Sequence, residues 1–192
     1  HQFVLKFYAA TTAIAQIRYE HSLLTFLDST HLPFAIPVPI RTASGETFIG
    51  IEVDGQLLNA ALLPRLVGYP MERRNLPQIQ AAGFALATLH NALAKFDPQG
   101  QCAILPFWGA LDRIHPQVSD PFTVPQLLRL GLEEQRRLDQ LFNEAIESVP
   151  ELYATLPIQT IHADYLTPNI LVDRDRVVGI LDFEFATRDL RL

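Results

Sequence analysis

At 192 residues, with 48% hydrophobic and 19% charged side chains, the chain can bury a substantial core as one domain or two small lobes, which excludes a disordered or low-complexity protein. A formal charge of −6 excludes a general nucleic-acid surface, which needs clustered Lys and Arg. Cys102 is the single cysteine, so no intrachain disulfide is possible. With no signal-like leader and no bilayer-length apolar run, a cytoplasmic protein with neither nucleic-acid nor membrane partners is expected.

Phe3 to Tyr8 is a β-rich run in which Lys6 lies between Leu5 and Phe7, so its ammonium points to one sheet face and its neighbours to the other. Thr12 is placed to cap a helix whose apolar positions Ile14, Ile17, Leu24 and Leu27 recur at helical spacing. Glu20 lies one position from the Ile17, Leu24 line, where it can face the sheet edge. Taken alone, Lys6 and Glu20 read as surface charges. Thr47 to Val53 and Leu57 to Val67 are apolar runs joined around Asp54-Gly55, a tight-turn dipeptide, and predict a β-hairpin.

Pro77, followed by Ile79, Ala82, Leu86, Leu89 and Leu93 at three- and four-residue steps, predicts an amphipathic helix, with His90 a structural or surface residue on it. Phe96 to Phe122 is rich in Pro, Gly and aromatics without periodicity and reads as an irregular insertion. Val124 to Val149 predicts one long helix, with Arg136 and Arg137 on a solvated face. No internal repeat is evident.

The segment from Ile161 to Glu184 carries the chemistry. Ile158 to Ile161 predicts a short strand, and Ala163 to Pro168 a polar loop that its proline keeps from becoming helix. Ile170 to Val172, the charged turn Asp173 to Arg176, and Val177 to Leu181 predict a hairpin that returns the chain to its start. Asp182 is thereby delivered beside Asn169, giving two oxygen ligands for one hard cation, Mg2+. The order His162, Asp164, Asn169, Asp182 suits phosphoryl transfer from a metal-nucleotide. Asp164 stands near the attacking hydroxyl, and His162 ties the loop to the backbone rather than acting as a base. For each residue by itself the alternative is a loop hydrogen-bond network.

This segment resembles the catalytic loop and metal motif of the aminoglycoside phosphotransferase and choline kinase superfamily, and within it the type II homoserine kinases. VLKFY with Lys6 and IRYEHSLLTFL with Glu20 are similar to the strand lysine and helix glutamate that pair in kinase-like folds. The resemblance implies that Lys6 contacts the α and β phosphates of ATP, that Glu20 holds Lys6, and that Arg65, Leu66 and Val67 present backbone groups to adenine. It implies an α+β, protein-kinase-like, two-lobed fold: a small antiparallel-sheet lobe over 1–67 and a mainly helical lobe over 68–192. Against that fold the chain is expected to be truncated at both ends, with Arg188 to Leu192 opening a further helical segment.

The implied reaction moves the γ-phosphate of ATP, with Mg2+, to a hydroxyl of a small molecule such as homoserine. Glu184 is a candidate for the acceptor's ammonium group, for the metal or for a loop network. Asp189 is a weaker candidate, with helix capping as its favoured alternative, and so is Trp108 as an aromatic face for a cation, with a place in the core as its favoured alternative. Ala163 before Asp164, and DFE in place of DFG, favour a small-molecule kinase over a protein kinase. Two other readings stand beside this one. One is a non-catalytic kinase-like binding protein, and the other a metal-dependent hydrolase with His162, Asp164 and Asp182 as ligands.

Overall fold

The computed structural model describes residues 2–101, 103, 109–110, 112–113, 115 and 117–191. Trp108 and Cys102 lie outside the described residues. The chain forms two compact units, residues 1–104 with 162–186, and residues 105–161 with 187–192.

The first unit opens on strand β1 (Phe3–Phe7), helix α1 (Ile14–Asp28) and the hairpin of β2 (Ile49–Val53) and β3 (Gln56–Pro64). The strands form an antiparallel sheet in the order β1-β3-β2, with Lys6 opposite Ala61 and Ile51 opposite Leu58. Asp54 and Gly55 form the hairpin turn, both with positive φ (51° and 78°), the conformation that matches strand twist in two-residue hairpins. Alternation along β1 leaves Phe3, Leu5 and Phe7 exposed and turns Lys6 and Tyr8 inward. β3 ends at Pro64, three residues short of the predicted strand end.

Helix α1 starts one residue later than a Thr12 cap requires. Ala13 is the cap; it has no side-chain oxygen to offer, and its N–H is instead accepted by Gln16 Oε1 at 3.0 Å. Ile17, Leu24 and Leu27 are buried as the spacing predicts, whereas Ile14 at the first turn is exposed.

Strand β4 (Tyr69–Pro70), helix α2 (Leu76–Leu93), strand β6 (Ile170–Asp173) and strand β7 (Arg176–Ile180) complete this unit. Asn75 caps α2, accepting the Gln78 N–H at 3.3 Å, with Pro77 in the first turn. Gln78 accepts the Glu72 N–H (2.9 Å) and donates to the Arg174 carbonyl (2.9 Å), so the helix start is pinned to the β6–β7 turn. The principal core joins Leu23 and Leu27 of α1, Leu89 and Leu93 of α2, and Ile180 and Phe183 from the hairpin's exit.

Gly68 connects β3 to β4 with φ +147°, and a Cβ there would lie 2.9 Å from Val178 Cγ2 and 3.0 Å from Leu171 Cβ. Gly68→Ala is therefore expected to destabilise the protein by about 1–3 kcal/mol, through overpacking and left-handed strain together. A urea denaturation midpoint matching that of wild type would contradict this.

The second unit contains α3 (Val124–Leu127), α4 (Leu132–Thr155) and the antiparallel pair β5 (Ile158–Ile161) and β8 (Thr187–Leu190). Two expectations are corrected here. The single helix predicted over Val124 to Val149 is broken between Leu128 and Gly131, where Arg129 has φ 53°, and α4 then runs on through Pro150. Arg188, Asp189 and Leu190, expected to open a helical segment, belong to β8. Asp189, buried at 3% exposure, caps no helix and accepts a hydrogen bond from Tyr153 Oη. Of the predicted insertion, the described residues include an isolated bridge between His115 and Val118 and a 3₁₀ turn over Pro121–Thr123. Among the described residues no helix is long and apolar enough to cross a membrane.

Candidate active site

The turn between β6 and β7 is two residues, Arg174 (φ 54°) and Asp175, so the hairpin closes tightly and Ile170 pairs with Ile180. At its open end the Leu181 N–H donates to the Asn169 carbonyl at 2.8 Å, which brings the residue before Asp182 against Asn169. Asp182 (φ 60°) and Ala163 (φ 63°) both adopt left-handed backbone. Such residues cost on the order of 1–3 kcal/mol each and persist where the surroundings fix them. Here Phe183, fully buried, anchors the chain beside Asp182 and packs on the His162 ring at 4.5 Å between centroids.

The His162 ring links the Asp164 loop to the segment before Asp182. Its Nδ1 accepts the Asp164 N–H at 3.2 Å, so Nε2 carries the proton and donates to the Leu181 carbonyl at 2.9 Å. Burial holds its pKa down to about 4. With both nitrogens committed the ring has no lone pair for a metal, which removes a ligand from the hydrolase reading.

Asn169 Nδ2 donates to the Asp164 carbonyl (3.0 Å) and to Asp164 Oδ2 (2.7 Å). Asn169 Oδ1 is thereby left as an oxygen donor, and Asp164 Oδ1 as an acceptor.

Lys6 Nζ lies 3.0 Å from Glu20 Oε1, 3.0 Å from Glu184 Oε2 and 3.8 Å from Asp182 Oδ1. Burial pulls the lysine's pKa down, but Glu20 and Glu184 outweigh it and the net shift is upward. Burial pushes Glu20 above the ordinary carboxylate value, with Lys6 opposing. Asp182 is raised first by burial and then by Glu184, again against Lys6. One ammonium among three carboxylates leaves a formal excess of two negative charges, which a divalent cation would balance. Among the described residues no three His, Cys, Asp or Glu side chains form a ready metal cage. An amide oxygen and one carboxylate suit Mg2+, which takes few protein ligands and keeps waters and phosphate oxygens.

A cavity of about 510 Å³ opens beside these groups. It is lined by Val4, Lys6, Glu20 and Asp182 and by the connector residues Arg65 and Leu66. Val67 lines an adjoining cavity of about 530 Å³ with Arg65 and Leu66. The Arg65 N–H is engaged by the Gln2 carbonyl at 3.0 Å, so that group is not offered to a ligand.

A profile of the phosphotransferase enzyme family matches residues 1–192. The chain belongs to this family. A homoserine kinase of Methylobacillus glycogenes is 30% identical over 186 residues, 89% of this chain and 51% of that protein. One of Nitrobacter winogradskyi is 30% identical over 191 residues, 97% of this chain and 52% of that protein. Among solved structures, the microcompartment-associated aminopropanol kinase is similar with a TM-score of 0.71 at 18% identity, covering 99% of this chain and 60% of that one. The amicoumacin kinase hAmiN in complex with AMP-PNP, Ca2+ and Ami gives 0.67 at 14% identity, covering 98% and 54%. The chain thus spans about half the length of the curated relatives it matches. Its fold is α+β and protein-kinase-like, as the resemblance implied.

Within this family member the structure brings Lys6, Glu20, Asp182 and Glu184 together, and Asp164 to Asn169. Glu184, a candidate for a substrate ammonium, for the metal or for a loop network, lies 3.0 Å from Lys6 Nζ. A second layer escaped the sequence reading. Tyr8 Oη donates to Glu20 Oε2 (2.9 Å) and lies 2.8 Å from His21 Nε2, and His21 Nδ1 lies 2.8 Å from Thr47 Oγ1. Tyr8 follows Lys6 by two residues on the same strand face, a signal that period-two reading of β1 contains.

His21, buried and close to Lys6, is held to about pKa 4, like His162. The unfolded chain takes up these protons near pH 6.5, whereas the fold refuses them until about pH 4. Stability is therefore present above pH 6.5 and lost as pH falls through that window. By pH 4.5 each ring is expected to cost on the order of 2–3 kcal/mol. Urea titrations of wild type and His21→Gln at pH 7 and 4.5 check this, and an equal pH loss in both would contradict it.

Proposed function

We propose that the chain carries the nucleotide, metal and phosphoryl-transfer machinery of a small-molecule kinase, which uses ATP and Mg2+ to phosphorylate the hydroxyl of an amino alcohol or hydroxy amino acid such as homoserine. The observation that carries this reading is Lys6, clamped at 3.0 Å by both Glu20 and Glu184 on the wall of a cavity that Asp182 also lines. In it Lys6 meets the nucleotide phosphates, while Glu20, itself held by Tyr8, keeps the ammonium in position. The connector at Leu66 and Val67 borders the base.

Asn169 Oδ1 and the Asp182 carboxylate would hold Mg2+, which when bound neutralises charge on the phosphate oxygens. Asp164 Oδ1 receives or orients the acceptor hydroxyl, its other oxygen fixed by Asn169. His162 sets the spacing between the Asp164 loop and the Asp182 segment. Positioning and charge neutralisation supply most of the rate in such a site. The named relatives support the acceptor class, since homoserine and aminopropanol each carry a hydroxyl and an amine. The AMP-PNP and Ca2+ of the amicoumacin kinase complex support a nucleotide with a divalent ion. Use of ATP fits a cytoplasmic setting.

Mg2+-dependent ATP binding is expected to fall at least tenfold in Asp182→Ala, and the complete protein is expected to consume ATP with homoserine or aminopropanol. Metal-dependent binding that Asp182→Ala leaves intact would reject the metal assignment. ATP binding without turnover on any hydroxyl acceptor would favour a non-catalytic binding protein.

A further inference from the structure

A cavity of about 660 Å³ lies against the helix face of α1 that carries Arg18, Ser22, Thr25 and Ser29, apart from the groups assigned to phosphate transfer. Its lining includes Arg18, Arg41 and Lys95, and one carboxylate, Asp97, whose Oδ1 accepts the Gln99 N–H at 2.9 Å. Among the described residues none of the three cations is in an ion pair; Arg41 donates to the Gly45 carbonyl at 2.8 Å. The wall has a formal charge of plus two, a match for a small dianion.

Two further lining residues, His21 and Thr47, begin a hydrogen-bond chain that ends at Lys6. Its proton directions follow from the end that is fixed. Ionised Glu20 only accepts, so the single Tyr8 proton goes to Glu20. His21 Nε2–H then donates to Tyr8 Oη, and Nδ1 accepts from the Thr47 hydroxyl. We propose that this cavity is an effector site for a small dianion, a phosphate ester or a dicarboxylate, coupled to Lys6 through Thr47, His21, Tyr8 and Glu20. An anion seated among the three cations draws the Thr47 proton towards itself. His21 loses the donor at Nδ1, and the hold on Glu20 slackens. The ligand therefore weakens nucleotide binding, and by linkage the nucleotide weakens the ligand. The coupling rests on the nucleotide site proposed above; the anion site itself does not.

Isothermal calorimetry with glycerol 3-phosphate and with malate tests the site, using wild type and the triple variant Arg18→Gln, Arg41→Gln, Lys95→Gln, whose positions are exposed. At least one dianion is expected to bind wild type, and at least tenfold more weakly to the variant; which one binds identifies the chemical source. A saturating dianion is expected to raise the AMP-PNP Kd at least threefold in wild type and to leave it unchanged in Thr47→Val. No binding of either dianion, or equal binding by the triple variant, overturns the site. An AMP-PNP affinity that the dianion does not move overturns its effector role. A chain that binds no AMP-PNP counts against the kinase reading, and the calorimetry still decides the anion site.

Discussion

Asp164→Ala in the complete protein is expected to lower phosphate transfer by about 10²- to 10⁴-fold, the usual contribution of a positioned acid or base, with nucleotide affinity within about threefold of wild type. The separation of the two effects follows from how Asn169 is held. Its amide donates to both Asp164 Oδ2 and the Asp164 carbonyl, and the second bond survives loss of the side chain. Its backbone is fixed independently, with its N–H on the Leu166 carbonyl (2.9 Å) and its carbonyl accepting from Leu181 (2.8 Å). On the proposed assignment the oxygen that would hold the metal therefore stays in place while the group that would face the acceptor disappears. Asp164 is only partly buried, so the fold should lose no more than about 1 kcal/mol, the worth of one hydrogen bond. Single-turnover kinetics and nucleotide titration on the same sample check both halves. Unchanged turnover would sink the assignment, and parallel loss of nucleotide affinity would move Asp164 to the metal.

The parts of this site that are local in sequence were legible, and those made by packing were not. The Asp164 to Asp182 segment could be read because its loop, tight turn and paired apolar strands are written in consecutive residues, and a hairpin has only one way to bring its ends together. Lys6 and Glu20 look like ordinary surface charges until the fold joins them, and only the resemblance to a known family linked them. Glu184 was left open between a substrate ammonium, the metal and a loop network, because nothing in DFE says that the third residue turns back onto a strand lysine. Thr47 was read as the start of a hairpin strand but lies two residues before β2, and its partner His21 is 26 positions away. The tail beyond Ala186 was misread because a four-residue strand has too little periodicity to declare itself. The helix break near Arg129 was missed because Leu127, Leu128, Leu130 and Leu132 continue an apolar pattern across it.

Lys6→Met should be the most revealing stability variant, because its cost should depend on pH. It removes the one cation among Glu20, Asp182 and Glu184 while keeping side-chain length, and breaking a buried pair on one side costs about 3–5 kcal/mol. The burden falls on Glu20, whose side chain is 6% exposed. Its pKa already lies above the ordinary 4.5 through burial, held back by Lys6. Without the ammonium it rises further. The folded state then keeps a proton over a range above pH 4.5 in which the unfolded chain has released it. Folding stability of the variant must therefore fall as pH rises through that range, and recover as pH falls. Urea denaturation is expected to show most of the loss at pH 8 and a smaller difference from wild type at pH 5.5. A purely steric effect of methionine would be the same at both values, so a pH-independent difference would mean that Glu20 does not depend on Lys6 for its charge. Nucleotide affinity should fall at every pH, because protonating the carboxylates restores the fold without restoring a cation for the phosphates.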